Sequence, residues 1–101
     1  MAKVKQEYNF EIMTDENAPS IKYPIEFPLR VIGANDEDFE PFVVEIVRRH
    51  VPDLLEENIV SRLSGNDRYR SVDFHFIAQS RAQVDALYAE LSSHKRVLVI
   101  L

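Results

Sequence analysis

From Ile25 to Ile32 the chain alternates: Phe27, Leu29 and Val31 take one face, and Pro28, Arg30 and Ile32 take the other. A period of two predicts a half-buried strand. Gly33 is read as its end, and Pro28, which has no N–H, predicts incomplete pairing inside it. Phe39, Val43, Ile46, Val47 and His50 then recur at helical spacing. Asn35 and Asp36 are read as the cap of this helix, Pro41 falls near its first turn, and Pro52 stops it behind Arg48, Arg49 and His50.

A short strand is predicted over 58–63. The turn signal Ser64-Gly65-Asn66-Asp67 joins it as a hairpin to a third strand, 69–78. There Val72, Phe74 and Phe76 share one face, and Ser71, Asp73, His75 and Ile77 share the other. Ser80 with Gln83 three residues on is a capping-box signature. It opens a helix over 81–93 whose apolar stripe is Val84, Leu87, Tyr88 and Leu91. Residues 96–101 read as a fourth strand, apolar on both sides.

The order β-α-β-β-α-β, with two right-handed crossovers around a hairpin, predicts an α+β, ferredoxin-like sandwich. Its antiparallel sheet has the order 4-1-3-2, and both helices cover one face. The phases assign Phe27, Leu29, Val31, Val72, Phe74 and Phe76 to the helix side. Arg30, Ile32, Ser71, Asp73, His75 and Ile77 go to the open side. The folded domain is placed at 23–101, behind a flexible N-terminal tail, 1–22; Tyr8, Phe10 and Ile12 alternate there and would suit a short extra strand, but a frayed tail is the favoured reading.

The chain has 101 residues, no cysteine and a formal net charge of −5. One domain fits that length, and disulfides and thiolate metal sites are excluded. The first twenty residues carry acids and no apolar h-region, which argues against a targeting peptide; with the missing cysteine this points to the cytoplasm. No apolar run approaches a membrane span. Residues 1–60 carry 13 acids against 6 bases, and residues 61–101 carry 4 against 6. That balance disfavours general nucleic-acid binding but leaves room for a small anion.

Catalytic chemistry finds no seat in the pattern. Ser71, Asp73 and His75 share a strand face, but strand rise separates successive members by about 6.8 Å, beyond relay contact. The three histidines lie on different elements, so no metal or other cofactor site is expected. Two glycines cannot build a phosphate loop. An RNA-recognition sheet would need Phe74 or Phe76 on the open face, and their phase turns both inward. An enzyme using His75 with Asp73 would need a concave open face. The contact candidates are the hairpin Arg68, Tyr69 and Arg70, together with His75 and Arg30, for a carboxylate or phosphate. Ile32, Ile77, Leu98 and Ile100 form an apolar patch that would be covered by a second copy, through the open face or the edge strand, by another protein, or by the tail.

Four stretches together resemble the YbeD-like family of small bacterial proteins. They are Glu26-Phe27-Pro28, the helix run from Val43 to Pro52, Ser71-Val72, and the helix run from Gln83 to Leu91. The resemblance spans residues 25–101. It implies a ferredoxin-like fold similar to the amino-acid-binding ACT regulatory domains, and a lipoate-related regulatory or interaction role without catalytic residues. The turn Gly65-Asn66-Asp67-Arg68-Tyr69 holds two residues more than the family's Gly-Asn-Tyr, and the segment before Ser20 is longer.

Overall fold

The computed structural model describes residues 22–101. The alternation of Tyr8, Phe10 and Ile12 lies outside them. The elements run β1 (Ile25–Ala34), α1 (Phe39–His50), a 3-10 turn (Glu56–Asn58), β2 (Ile59–Ser64), β3 (Tyr69–Ala78), α2 (Arg81–Ser93) and β4 (Val97–Ile100). The sheet order is β2-β3-β1-β4, and every pairing is antiparallel. This is the topology read from the apolar phases.

The phases also hold inside the core. Leu29, Val31, Val72, Phe74 and Phe76 are buried against Phe39, Val43, Ile46 and Val47 of α1 and Val84, Leu87, Tyr88 and Leu91 of α2. Phe27 sits at the rim, 5.6 Å from the Phe76 ring centroid and edge-on to Tyr88 at 6.1 Å. Each fully buried branched or aromatic side chain contributes about 1.5–3 kcal/mol.

β1 does not stop at Gly33. It continues to Ala34, which pairs with Tyr69, and Gly33 is where the Phe39 ring crosses the strand. A Cβ on Gly33 would lie 2.3 Å from that ring and 2.6 Å from the Arg96 carbonyl oxygen. The close approach, not a turn, requires the glycine. Pro28 is accommodated by direction. The Arg30 N–H points to β4 and donates to the Leu101 carbonyl at 3.1 Å. Pro28, two residues earlier, therefore turns its nitrogen to the same side, past the end of β4, so no β4 carbonyl loses a donor.

The cap of α1 differs from the sequence reading. The cap residue is Asp38, whose side chain makes no capping bond. Asn35 instead braces the β2–β3 hairpin, with its amide Nδ2 donating to the Asp67 carbonyl at 2.9 Å and its backbone N–H to Arg68 at 3.0 Å. Asp38 forms a two-pronged ion pair with Arg96 at 2.6 and 3.2 Å, and the Arg96 guanidinium lies 4.7 Å from the Phe42 ring centroid. The capping box of α2 is present in shifted form. Ser80 Oγ accepts from the Gln83 N–H at 3.1 Å, but Gln83 Oε1 reaches back to the N–H of Gln79. The Gln83 amide also donates to the His50 carbonyl at 2.7 Å, tying the start of α2 to the end of α1. Glu90 of α2 receives Arg49 and, at 2.7 Å, His50. Burial pushes the Glu90 carboxyl up, but those two bonds outweigh it and hold the group below its usual value.

β4 departs most from expectation. Ile32 pairs with Val99 and Gly33 with Val97, so one residue, Leu98, is extra. This is a β-bulge, and it resets the alternation. Val97 and Ile100 both turn into the core, while Leu98 stays outside. Ile100, assigned by simple alternation to the exposed patch beside Leu98, is buried next to its register partner Val31.

Candidate functional site

The open face is a lattice fixed by register. Asp73 lies opposite Arg30 on one side and Val60 on the other; Ser71 lies opposite Ile32 and Arg62. The period of two therefore delivers two arginines, from β1 and β2, to one carboxylate on the strand between them. Arg30 approaches Asp73 with Nε and Nη2 at 2.8 and 3.1 Å, and Arg62 Nη2 reaches it at 2.6 Å. Ser71 Oγ donates to the same carboxylate at 3.1 Å.

Asp73 is the less accessible partner, with 20% of its side chain exposed against 45% for Arg30 and 60% for Arg62. The Arg30 bond, then those of Arg62 and Ser71, hold the Asp73 carboxyl below the ordinary carboxylate range against an opposing push from partial burial. The same hydrogen bond raises Arg30 above its usual value. Two guanidiniums against one carboxylate leave one unit of positive charge at the centre of the face. Both arginine side chains are about half exposed. A shallow cavity of about 280 Å³ opens on the Arg30 side of the cluster, lined by Pro28, Leu29, Arg30, Asp73, Phe74 and Leu101.

Of the contact candidates, Arg30 and His75 lie on this face, and Tyr69 lies at its hairpin end. His75 Nε2 stands 3.7 Å from Glu26 Oε1 on the neighbouring strand. Arg70 does not join them. The same alternation that keeps Tyr69 and Ser71 on the open side sends Arg70 to the helix side, where it donates to Ser61 Oγ at 2.6 Å. Arg68 sits in the hairpin loop, behind three residues with left-handed backbone, Gly65, Asn66 and Asp67. The tripeptide 68–70 is thus not one ligand cradle. Arg62 was absent from the sequence candidates, yet its phase in β2 opposite Ser71 is the signal that finds it.

The apolar patch is smaller than the pattern implied. Ile77 and Leu98 are exposed and Ile32 is half-buried, but Ile100 is in the core and the middle of the face is ionic. Phe74 and Phe76 are 2 and 5% exposed, on the helix side, so the base-stacking platform of an RNA-recognition sheet is missing. The contact Ser71 makes is to Asp73, whose charge is already held by arginines; a carboxylate of lowered pKa is a poor general base. Among the described residues no group of three or more His, Asp or Glu side chains is arranged to hold a metal ion. No described helix is long and apolar enough to cross a membrane.

A family described as "Protein of unknown function (DUF493)" matches residues 18–101. A UPF0250 protein of Chromobacterium violaceum is 35% identical over 89 residues, covering 88% of this chain and all of the relative. UPF0250 protein PSPA7_1111 of Pseudomonas paraeruginosa is 40% identical over 88 residues, covering 86% and 95%. Among solved structures, protein HP0495 of H. pylori superposes with a TM-score of 0.65 at 18% identity, over 87% of this chain and 92% of that one. The C-terminal domain of the MgtC protein of Mycobacterium tuberculosis does so with 0.60 at 20% identity, over 81% and 89%. At these identities the likeness to the two structures is one of fold, ferredoxin-like and ACT-like.

Proposed function

The chain belongs to the DUF493/UPF0250 family, the YbeD-like family of small bacterial proteins, and from that premise we propose that it is a non-enzymatic regulatory module whose open sheet face binds a small carboxylate with an apolar body. One observation carries this reading: Arg30 and Arg62 converge on Asp73, each about half exposed, and keep a net positive charge at the centre of an otherwise acidic protein. A ligand carboxylate takes the outward guanidinium N–H groups, a charge-assisted and geometrically specific contact. Its apolar part lies over Pro28, Ile32 and Leu101, which border the ion cluster. A lipoate-related acid has this shape, as does a medium-chain fatty acid. The absence of cysteine suits a module of the reducing cytoplasm.

The test is an NMR titration of the labelled full chain with lipoate and octanoate, using octanol as the uncharged control. Saturable shifts centred on Arg30, Arg62 and Asp73 with the acids, and none there with octanol, are expected. Acids that leave those three residues unmoved would remove the basis of the reading.

A further inference from the structure

The two edges of the sheet are unlike. β4 is short and bulged, which shields an edge from further pairing. β2 runs in regular register with β3 from Ile59 to Ser64, with no proline, lysine or bulge. Among the described residues no strand or loop backbone pairs with the outer side of residues 60–64. Val60 and Leu63, on opposite faces of this edge, are 50 and 44% exposed, and Leu55 just before it is 54% exposed. Beside the edge, on the helix side, lies a second cavity of about 280 Å³ between α1 and β2, lined by Glu40, Pro41, Val44, Arg48, Glu56 and Ile59.

The charge around that cavity has a sign. Residues 36–57 hold eight acids and two arginines. Arg49 is engaged with Glu45 and Glu90, and Arg48 donates to the Leu54 carbonyl at 3.2 Å. Neither Glu40 nor Glu56, at the cavity walls, has an ion-pair partner among the described residues. We infer that β2 is a docking edge for an extended, basic segment of another protein. That segment adds a fifth strand beside β2, sets apolar side chains against Val60 on the open face, and on the helix face lays lysine or arginine stems over Leu63 to reach Glu40 and Glu56. Main-chain pairing gives such a complex its affinity and the alternate pockets its specificity. A second copy of this chain is a worse occupant, since it brings the same acidic flank and a net charge of −5.

Docking at this edge does not rest on the open-face site, although Arg62 belongs to both, and its probe differs. The labelled full chain is titrated with a synthetic peptide alternating valine and lysine, and with a valine–glutamate peptide as the control. Saturable shifts at Val60, Leu63, Glu40, Val44 and Glu56 are expected with the basic peptide only. The Glu40→Gln/Glu56→Gln double variant binds it about fivefold more weakly, and Leu63→Lys, at an exposed position, weakens it further without altering the thermal melt. The proposal is overturned by no saturable response to the basic peptide, by an equal response to the acidic one at Glu40, Val44 and Glu56, or by a peptide-free dimer in sedimentation whose residues 59–64 are already protected from amide exchange.

Discussion

Replacing Asp73 by asparagine separates two roles that the open face combines. Asp73 accepts from Arg30 twice, from Arg62 and from Ser71, at 2.6 to 3.1 Å. A hydrogen bond to a buried charge contributes about 1.5–3 kcal/mol. Both guanidiniums here are half in water, which reduces each ion pair to about 0.2–1 kcal/mol. Asparagine keeps one acceptor, so Asp73→Asn costs about 1–2 kcal/mol. At about 4–8 °C per kcal/mol for a domain of this size, the melting temperature falls by about 5–15 °C. Anion binding moves the other way. Removing a negative charge about 5 Å from a bound carboxylate relieves about 0.8 kcal/mol of repulsion in water, roughly a fourfold gain in affinity at low salt. Thermal unfolding by circular dichroism reads the first effect and an octanoate titration by NMR reads the second. A folded Asp73→Asn protein that binds octanoate no better than the parent would show that Asp73 does not compete with the ligand for the arginines.

Other changes test the scaffold. Gly33→Ala drives a methyl into the Phe39 ring and the Arg96 carbonyl and should cost about 2–3 kcal/mol by denaturant melt, where an unchanged midpoint would contradict the close approach. Ser80→Ala removes the acceptor of the Gln83 N–H and should cost about 1 kcal/mol in the same assay. Asp73 and Glu90 both titrate below their usual values in the folded state. A lowered carboxylate stabilises the fold above the unfolded pKa, and that contribution is lost as pH falls through the folded value. Stability should therefore decline as pH falls below about 4, and Asp73→Asn should soften that decline.

The fold was legible because both periods in the sequence are clean. Val72, Phe74 and Phe76 keep phase for the whole of β3, and Val84, Leu87, Tyr88 and Leu91 keep phase through α2. What was hidden depends on partners distant in sequence. The bulge at Leu98 exists only relative to β1, so alternation alone misplaced Ile100. Asn35 looked like a cap because its other partner, the 67–68 loop, is over thirty residues away. The ion cluster was half visible. Arg30 and Asp73 were assigned to the open side, but Arg62 needed the hairpin register, which the four-residue loop Gly65-Asn66-Asp67-Arg68 sets. The same register divides Tyr69 from Arg70, which adjacency in sequence had grouped.

The proposed anion-binding face is built on the two guanidiniums around Asp73. Its most direct test is a side-by-side octanoate titration of the parent chain and the Arg30→Gln/Arg62→Gln variant at low salt. Saturable binding by the parent, at least tenfold weaker in the variant while its amide spectrum stays that of a folded protein, is the predicted result. Equal affinity in the two chains would contradict it.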